Sequence, residues 1–393
     1  MRLKRLLAGI SLSVVAVSLA YGQAAAPTGR GAVDPRDLPG GAAAAGGRGA
    51  DANLQRSLPS ENQWDNMNAQ GKAYVAQALA LAGDDNDLKF DENIFCRASG
   101  GSQNSDRAAL GAPVGAPYAA IGSPNPAEKL APMHMFDNFW YFGTTGVGAW
   151  LVTTPAGYIL FDAGNNEPEA QELIIDGMKK VGLDPTKIKY MIFGHNHLDH
   201  TGGGKLIQDL YHPRVIMGRD DWAIYFRTMA TAQAQGANAT GQAASLKDKS
   251  PMKHDIDAED GMKITLGGIT ATIYTMTGHT PGSIGMIVPV KWQGKNHPIL
   301  IVTAGTDAKN REAFIGGYEH IWDIGIKAKV ESVIQVHPNT NMNSIGRLKY
   351  VNDNYATLSK KGVNPMLYGV DRTKRYINIM RACTEARFQA LGW

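Results

Sequence analysis

Short hydrophobic runs bounded by glycine, proline or asparagine recur in two parts of the chain and predict β-strands. One group lies between residues 139 and 217, and the other lies between residues 263 and 336. Several neighbouring runs are separated only by a short turn that contains glycine, which predicts antiparallel hairpins. The predicted strands cover residues 139–142, 149–153, 158–161, 190–193, 214–217, 263–266, 269–277, 284–290, 299–304 and 330–336.

Hydrophobic residues at helical spacing predict helices between and after these strands. Residues 167–181 are amphipathic, and residues 64–82 and 205–210 are also predicted to be helical, as is the C-terminal end. Residues 83–133 are predicted to be mainly loop, whereas the polar, weakly periodic residues 228–253 are expected to form a surface insertion near the site. Two groups of strands, each followed by helices, predict an α+β fold of two stacked sheets with helices outside.

The first 22 residues have the pattern of a secretory signal peptide. Arg2, Lys4 and Arg5 precede an uncharged stretch at residues 6–20, and small residues follow it. That stretch is short for a membrane-spanning helix, although an uncleaved anchor is the alternative. Cleavage after Gly22 would place the mature protein in the periplasm or outside the cell, without attachment to the membrane.

The remaining composition indicates a globular protein with a tether before it. The chain has 393 residues, of which 44% are hydrophobic, so it can bury a large core. Residues 23–60 are rich in Gly, Ala and Pro and predict a flexible tether, because they offer almost no large side chains to bury. Residues 61–133 are expected to form an N-terminal extension packed on a main domain at residues 134–393.

The charge balance argues against a nucleic-acid partner. The predicted leader carries three of the 39 basic residues, so the mature chain would have 36 basic and 36 acidic residues. The basic residues are scattered, whereas nucleic-acid binding requires a basic face. A small-molecule substrate is therefore the expected partner, and the protein is expected to be a monomer.

Cys96 and Cys383 are the two cysteines of the chain. In an exported protein they can form one disulfide, which would join the N-terminal extension to the predicted C-terminal helix. The alternative is a pair of inert buried thiols.

The densest group of chemically active residues follows the predicted strand at residues 190–193. His195, His197, Asp199 and His200 lie within six residues, and glycines follow them directly. His195 and His197 would point the same way in an extended segment, so one metal ion can bind both. Imidazole and carboxylate together suit zinc.

Single histidines at two other strand ends complete this set. His279 follows the strand at residues 269–277, and His337 follows the strand at residues 330–336. Either alone would be a weak signal, because a lone histidine in a loop is more often an ordinary surface residue. His134, His212, His254, His297 and His320 are each expected to be a surface residue or a satisfied hydrogen-bonding group. Taken with the first cluster, His279 and His337 complete two sites of three ligands each.

This set of motifs resembles the metallo-β-lactamase superfamily from about Phe136 to the C-terminus. The segment from Phe161 to Gly164 is similar to the family's first motif, and residues 195–200 match its HxHxDH motif. His279 and His337 match the family's later histidines. The resemblance implies an αβ/βα four-layer sandwich, with residues 134–393 as a catalytic domain and the metals in a groove at one sheet edge.

Within that superfamily the chain most resembles the third subclass of class B β-lactamases. Two zinc ions are implied, with His195, His197 and His279 on the first and Asp199, His200 and His337 on the second. Asp162 would orient the site from behind the ligands. The resemblance further implies an enzyme whose metal-bridged hydroxide opens the amide of β-lactams, with Asp199 orienting that nucleophile.

The sequence allows more than one role for each of three residues near the predicted site. Ser283 is a candidate for binding the substrate carboxylate, or else a hydroxyl that caps its own turn. Asn196 would line the groove or merely fill a turn. Asp307 bears on a second candidate activity, hydrolysis of a lactone or thioester as in the glyoxalase II branch. Because Thr306 separates Gly305 from Asp307, a loop carboxylate is favoured over a metal bridge. A zinc-binding scaffold without turnover is a third hypothesis, which the complete ligand set disfavours.

Overall fold

The computed structural model describes residues 61–96, 128–303, 311–338 and 344–392. The predicted signal peptide and tether lie outside these ranges, as does Asp307. Within the described ranges, no helix is both long enough and apolar enough to cross a membrane.

A seven-stranded mixed sheet forms one inner layer. Its strands are β1 (Met133–Phe136), β2 (Phe139–Gly143), β3 (Gly148–Thr154), β4 (Gly157–Phe161), β5 (Ile188–Ile192), β6 (Arg214–Gly218) and β7 (Ile256–Ala258). They lie side by side in chain order, antiparallel from β1 to β4 and parallel from β4 to β7. Because parallel strands end at the same edge of a sheet, the residues that follow β4, β5 and β6 are brought together.

A five-stranded sheet forms the other inner layer. Its strands are β8 (Lys263–Leu266), β9 (Ile269–Thr275), β10 (Ile284–Trp292), β11 (Lys295–Val302) and β12 (Ser332–Gln335). Their order in space is β12-β11-β10-β9-β8, and only β11 and β12 are parallel. The predicted hairpins β8–β9 and β10–β11 are both present.

Helices connect the strands, and several of them cover the outer faces of the two sheets. They are α1 (Glu61–Asp65), α2 (Ala69–Ala82), α3 (Asn86–Cys96), α4 (Glu167–Glu169), α5 (Asp176–Lys180), α6 (Leu198–Thr201), α7 (Gly204–Tyr211), α8 (Arg219–Gln235), α9 (Gly241–Leu246), α10 (Arg311–Lys327), α11 (Ile345–Asp353), α12 (Tyr355–Lys361) and α13 (Val370–Leu391). A π-helical segment, Ala170–Ile175, joins α4 to α5, so the predicted helix at 167–181 is present with a wider turn inside it.

The hydrophobic core of the described residues has three large parts, which correspond to the three spaces between four layers, and a small fourth cluster of Trp64, Ala386 and Ala390. The central part lies between the sheets and includes Trp150 and Met286. A second part packs the outer face of the first sheet against α5, α7 and α8, and a third packs the second sheet against α10 and α13. The fold is therefore an αβ/βα sandwich, as the sequence predicts.

Two local predictions were wrong, whereas the predicted surface segment at residues 228–253 is mostly exposed and also contains helix. The helix predicted at residues 64–82 is divided at Asn68, because its side chain accepts the Gly71 N–H and starts a new helix. The loop predicted at residues 83–133 contains α3, which is capped by Asp85 through the N–H groups of Asp87 and Leu88. The polar segment at residues 228–253 includes the end of α8 and all of α9, and buries several hydrophobic residues, among them Met229 and Leu246.

The N-terminal helices are bound to the C-terminal helix by covalent and ionic contacts. Cys96 and Cys383 form a disulfide, the first of the two alternatives raised by the sequence. Arg372 on α13 donates to both carboxylate oxygens of Asp85 at 2.6 Å and to Asp87 at 2.7 Å. These contacts fix α2 and α3 on the outer layer beside the second sheet.

Candidate metal centre

The candidate metal centre lies where the edges of the two sheets meet. The Ile284 N–H at the start of β10 donates to the Gly194 carbonyl just after β5, at 2.8 Å. On the other side, the Gly148 N–H at the start of β3 donates to the Val336 carbonyl just after β12, at 3.2 Å. These two links bring residues from both sheets into one groove.

His195, His197 and His279 form the first group. The Nε2 atoms of His195 and His279 lie 3.0 and 3.1 Å from Nδ1 of His197. Burial and the neighbouring imidazoles hold the pKa of His195 well below its ordinary value, which favours the neutral form that binds metals. Three imidazole nitrogens that converge on one another cannot all be satisfied by mutual hydrogen bonds. They fit one cation such as zinc.

Asp199, His200 and His337 form the second group. Oδ2 of Asp199 lies 3.4 Å from Nε2 of His200 and 3.5 Å from Nε2 of His337. The two Nε2 atoms are 3.3 Å apart. Asp199 and His337 keep 38% and 30% of their side-chain exposure, so the group opens toward solvent, as a catalytic rather than a structural metal site requires.

The far nitrogen of each imidazole in the second group is held by an acceptor. Nδ1 of His200 donates to Oδ2 of the buried Asp162 at 2.7 Å, and Nδ1 of His337 donates to the Gly146 carbonyl at 2.8 Å. In a neutral ring this leaves the Nε2 lone pair directed into the group. The donor set therefore fits a second cation.

Charges within the second group depend on one another. Burial lowers the pKa of His200, but the carboxylates of Asp199 and Asp162 outweigh it and raise that pKa to about 9. Burial raises the pKa of Asp199, but His200, His337 and His197 outweigh it and lower that pKa to about 2. Asp199 is thus an ionised carboxylate at neutral pH, and a cation bound here would displace the proton of His200.

Asp162 and the glycines after the histidine motif hold the backbone of the site. Asp162 has a positive φ of 64°, and its Oδ1 accepts the Gly194 N–H at 2.9 Å. A Cβ atom at Gly202 would lie 2.0 Å from the Asn165 carbonyl oxygen, and one at Gly203 would lie 2.2 Å from Cβ of Ala170. Neither contact is possible, so the close packing of the motif requires glycine at both positions.

The predicted substrate contact at Ser283 does not fit the structure. Ser283 is fully buried, and its Oγ accepts the Thr280 N–H at 3.1 Å and lies 2.6 Å from Thr280 Oγ1. Its hydroxyl therefore caps its own turn, the alternative raised by the sequence. Asn196 is half-buried between the two metal-facing histidines, and its backbone N–H donates to Asp221 at 2.9 Å.

Asp221 is a buried residue near the site that the sequence motifs did not indicate. It is fully buried near the start of α8, and burial raises the pKa of its carboxyl against the opposing effect of its hydrogen bonds. A signal was present in the sequence, because Asp220 and Asp221 follow a predicted strand just as the histidine motif does. Its contacts could not be read from the sequence, since they involve residues 196 and 280–282.

Comparison with known proteins gives one family. Residues 143–290 match the family model of the metallo-beta-lactamase superfamily. The N-acyl homoserine lactonase AttM of Agrobacterium fabrum is 26% identical over 161 residues, which cover 35% of this chain and 58% of the lactonase. A hydroxyacylglutathione hydrolase of Anaeromyxobacter dehalogenans is 26% identical over 107 residues, which cover 27% of this chain and 30% of that enzyme. The chain thus matches less than two thirds of either relative.

Solved structures share the fold. A metallo-beta-lactamase of Cronobacter sakazakii superposes with a TM-score of 0.51 at 21% identity, covering 68% of this chain and 97% of the lactamase. MEM-A1, a subclass B3 metallo-beta-lactamase from a soil metagenome library, gives a TM-score of 0.50 at 19% identity, with 64% and 93% covered. At these identities the likeness establishes the architecture alone.

Proposed function

We propose, since the chain belongs to the metallo-β-lactamase superfamily, that this metal-dependent hydrolase binds two zinc ions and opens the cyclic amide of β-lactams. The observation that carries this proposal is the pair of three-ligand groups, one made of histidines and one made of Asp199, His200 and His337. The two groups are adjacent, because the potential ligand atoms of His195, Asp199 and His200 lie within 4.8 Å of one another.

In this proposal His195, His197 and His279 hold the first zinc, and Asp199, His200 and His337 hold the second. Zinc, when bound, polarises a carbonyl group and lowers the pKa of water toward neutrality. Asp162 and the Gly146 carbonyl keep the two imidazoles of the second group in the ligating tautomer. The protein thereby fixes the geometry before any substrate arrives.

Asp199 has the second task in the proposed reaction. Its carboxylate is ionised, partly exposed and adjacent to both imidazoles of its group, so it can accept a hydrogen bond from the attacking water and orient it. Asn196, between His195 and His197, is proposed to line the groove. Ser283 is not part of this proposal, because its hydroxyl is buried in its own turn.

The resemblance to the third β-lactamase subclass favours a β-lactam over the second candidate substrate. Asp199, His200 and His337 supply three protein ligands to the second zinc without a cysteine, the set implied by the resemblance to the third β-lactamase subclass. Hydrolysis of a lactone or a glutathione thioester is the alternative. It is favoured by the two relatives that share 26% identity, a lactonase and a hydroxyacylglutathione hydrolase.

A panel of substrates decides between these activities. The zinc-loaded full chain and its Asp199→Asn variant are each assayed with a penicillin, a carbapenem, an N-acyl homoserine lactone and a glutathione thioester. We expect the highest kcat/KM on a β-lactam and a fall in kcat of about 100-fold or more in the variant. Turnover of only the lactone or the thioester would replace the β-lactam assignment. No turnover of any of the four would leave a zinc-binding protein without the proposed activity.

A further inference from the structure

Asp221 makes an unusual set of contacts for a buried carboxylate. It is fully buried, and its carboxylate accepts three hydrogen bonds from donors in two loops. Oδ2 accepts the Asn196 N–H at 2.9 Å and the Thr280 hydroxyl at 2.8 Å, and Oδ1 accepts the Gly282 N–H at 2.9 Å. Burying a carboxylate is costly without such partners, so the contacts are integral to this part of the fold.

The two loops that meet at Asp221 carry the three histidines of the first group. Asn196 lies between His195 and His197, whereas Thr280 directly follows His279. Among the described contacts, Asp221 joins these loops through the hydrogen bonds that its carboxylate accepts. The Thr280 hydroxyl extends the link to Ser283, whose Oγ is 2.6 Å away.

The backbone is shaped to bring Asp221 into this position. A Cβ atom on Gly282 would lie 2.8 Å from Cγ of Asp221, and one on Gly218 would lie 2.0 Å from the Gly282 carbonyl oxygen. Only glycine permits the start of α8 to approach the turn after His279 so closely. The two glycines and the aspartate therefore form one close-packed junction.

We propose that Asp221 is a positioning residue that fixes the loop of His195 and His197 against the turn of His279, and so sets the geometry of the three-imidazole site. The inference rests on the zinc assignment of the proposed function. The three ligating nitrogens come from two loops that are 82 residues apart in sequence, and their spacing of 3.0–3.1 Å depends on how those loops meet. Zinc affinity is sensitive to such outer contacts.

Asp221→Asn tests this role with little change in volume. In Asp221 both carboxylate oxygens accept hydrogen bonds, whereas an asparagine side chain has one oxygen and one NH₂ group. The NH₂ group would face a donor, so one of the links between the loops is lost. Zinc affinity is measured by competition with a chromophoric chelator, and the visible spectrum of the cobalt-substituted protein reports the ligand geometry. We expect zinc binding at one of two sites to weaken about 10- to 100-fold, with an altered cobalt spectrum.

Matched variants separate positioning from a general loss of stability. Asp220→Asn changes the exposed neighbour on the same helix turn and should leave both readouts at parent values. Thr280→Val removes one hydroxyl contact and should weaken zinc binding less than Asp221→Asn, whereas Thr280→Ser keeps the hydroxyl and should restore it. The threonine variants apply even if Asp221→Asn fails to fold.

The outcomes distinguish this inference from the proposed function. Parent-like zinc affinity and cobalt spectra in Asp221→Asn and Thr280→Val would overturn the positioning role alone. Weaker zinc binding in these variants, with a parent that hydrolyses none of the four test substrates, would support the positioning role and reject the hydrolase assignment. A parent that binds no zinc would overturn both.

Discussion

At the scale of single residues, the site depends on which nitrogen of each imidazole is held away from the cluster. Asp162 holds Nδ1 of His200, and the Gly146 carbonyl holds Nδ1 of His337. Because a neutral imidazole has one donor and one acceptor nitrogen, these two contacts decide the atom that is free to bind a cation. Ligand identity alone would leave that choice open.

Ser283→Ala should affect stability more than substrate binding. The substitution leaves the buried Thr280 N–H without its acceptor, which costs about 1–3 kcal/mol in the free energy of unfolding. KM on the best substrate should stay close to that of the parent, because the hydroxyl is buried. Urea denaturation and steady-state kinetics measure the two effects.

Ser245→Ala is the control for this substitution. Ser245 is exposed and its hydroxyl donates only to Gln242 of the same helix, so its loss should change stability by less than about 0.5 kcal/mol. A large rise in KM for Ser283→Ala, with stability unchanged, would return Ser283 to the substrate site.

At the scale of elements, α3 is attached to α13 by charge as well as by the disulfide. Asp85 caps α3 through two backbone N–H groups and accepts hydrogen bonds from Nε and Nη2 of Arg372. Burial raises the pKa of Asp85, but the Arg372 and Leu88 hydrogen bonds outweigh it and hold that pKa below its ordinary value. The ionised form is therefore favoured by folding.

The depressed pKa of Asp85 predicts a pH dependence of stability. Its contribution is fully present above the ordinary aspartate pKa of about 3.9, and is lost as pH falls through the lower folded value. Asp85→Asn should therefore cost about 1–3 kcal/mol at pH 7, and the difference from the parent should shrink below about pH 4. Denaturation of both proteins across this range measures it. A difference that stays constant with pH would show that the charge of Asp85 is not involved.

The disulfide is expected to stabilise the same junction. It joins residues 287 positions apart, and loss of a native disulfide typically costs about 2–5 kcal/mol. Dithiothreitol should lower the Tm of the parent, whereas the double variant Cys96→Ala/Cys383→Ala should have the same lower Tm with or without reductant. Equal Tm values for the parent in both conditions, with reduction verified by thiol titration, would contradict this role.

At the scale of the whole molecule, the site belongs to neither sheet alone. The first sheet supplies residues 195–200 and Asp162, and the second supplies His279 and His337. The hydrophobic core between the sheets holds the two sheets together. The relative positions of the candidate ligands therefore depend on core packing as well as on contacts within the groove. Metal binding should in turn stabilise the sandwich, because the unfolded chain does not hold the six side chains together.

Metal analysis provides the direct test of the dinuclear assignment. We expect two zinc ions per dialysed chain, and a fall in both Tm and hydrolysis after treatment with a chelator, with recovery when zinc is added. His254→Ala changes a histidine outside the site, which contacts Asp257, and should leave the zinc content at two. A stable content of one zinc in a correctly folded parent would reject the second site.

Most of the strands, their division into two groups and the candidate metal ligands could be predicted from the sequence, whereas β1 and β7 were not predicted. Hydrophobic runs of strand length and glycine-rich turns are local signals, and the histidine motif has a fixed spacing, so neither needs the folded structure. The same local reasoning missed α3, whose helix depends on a cap at Asp85 and on burial against α13.

The contacts between distant loops could be established only from the folded structure. The sequence left Cys96 and Cys383 open between a bridge and two thiols, and left Ser283 open between substrate and turn. In the structure the two cysteines form a disulfide, and the serine hydroxyl oxygen accepts the Thr280 N–H. It also brings Asp221 to residues 196 and 282, at separations of 25 and 61 positions. Such contacts depend on how the two sheets and their outer helices pack together, and no local pattern of residues encodes that arrangement.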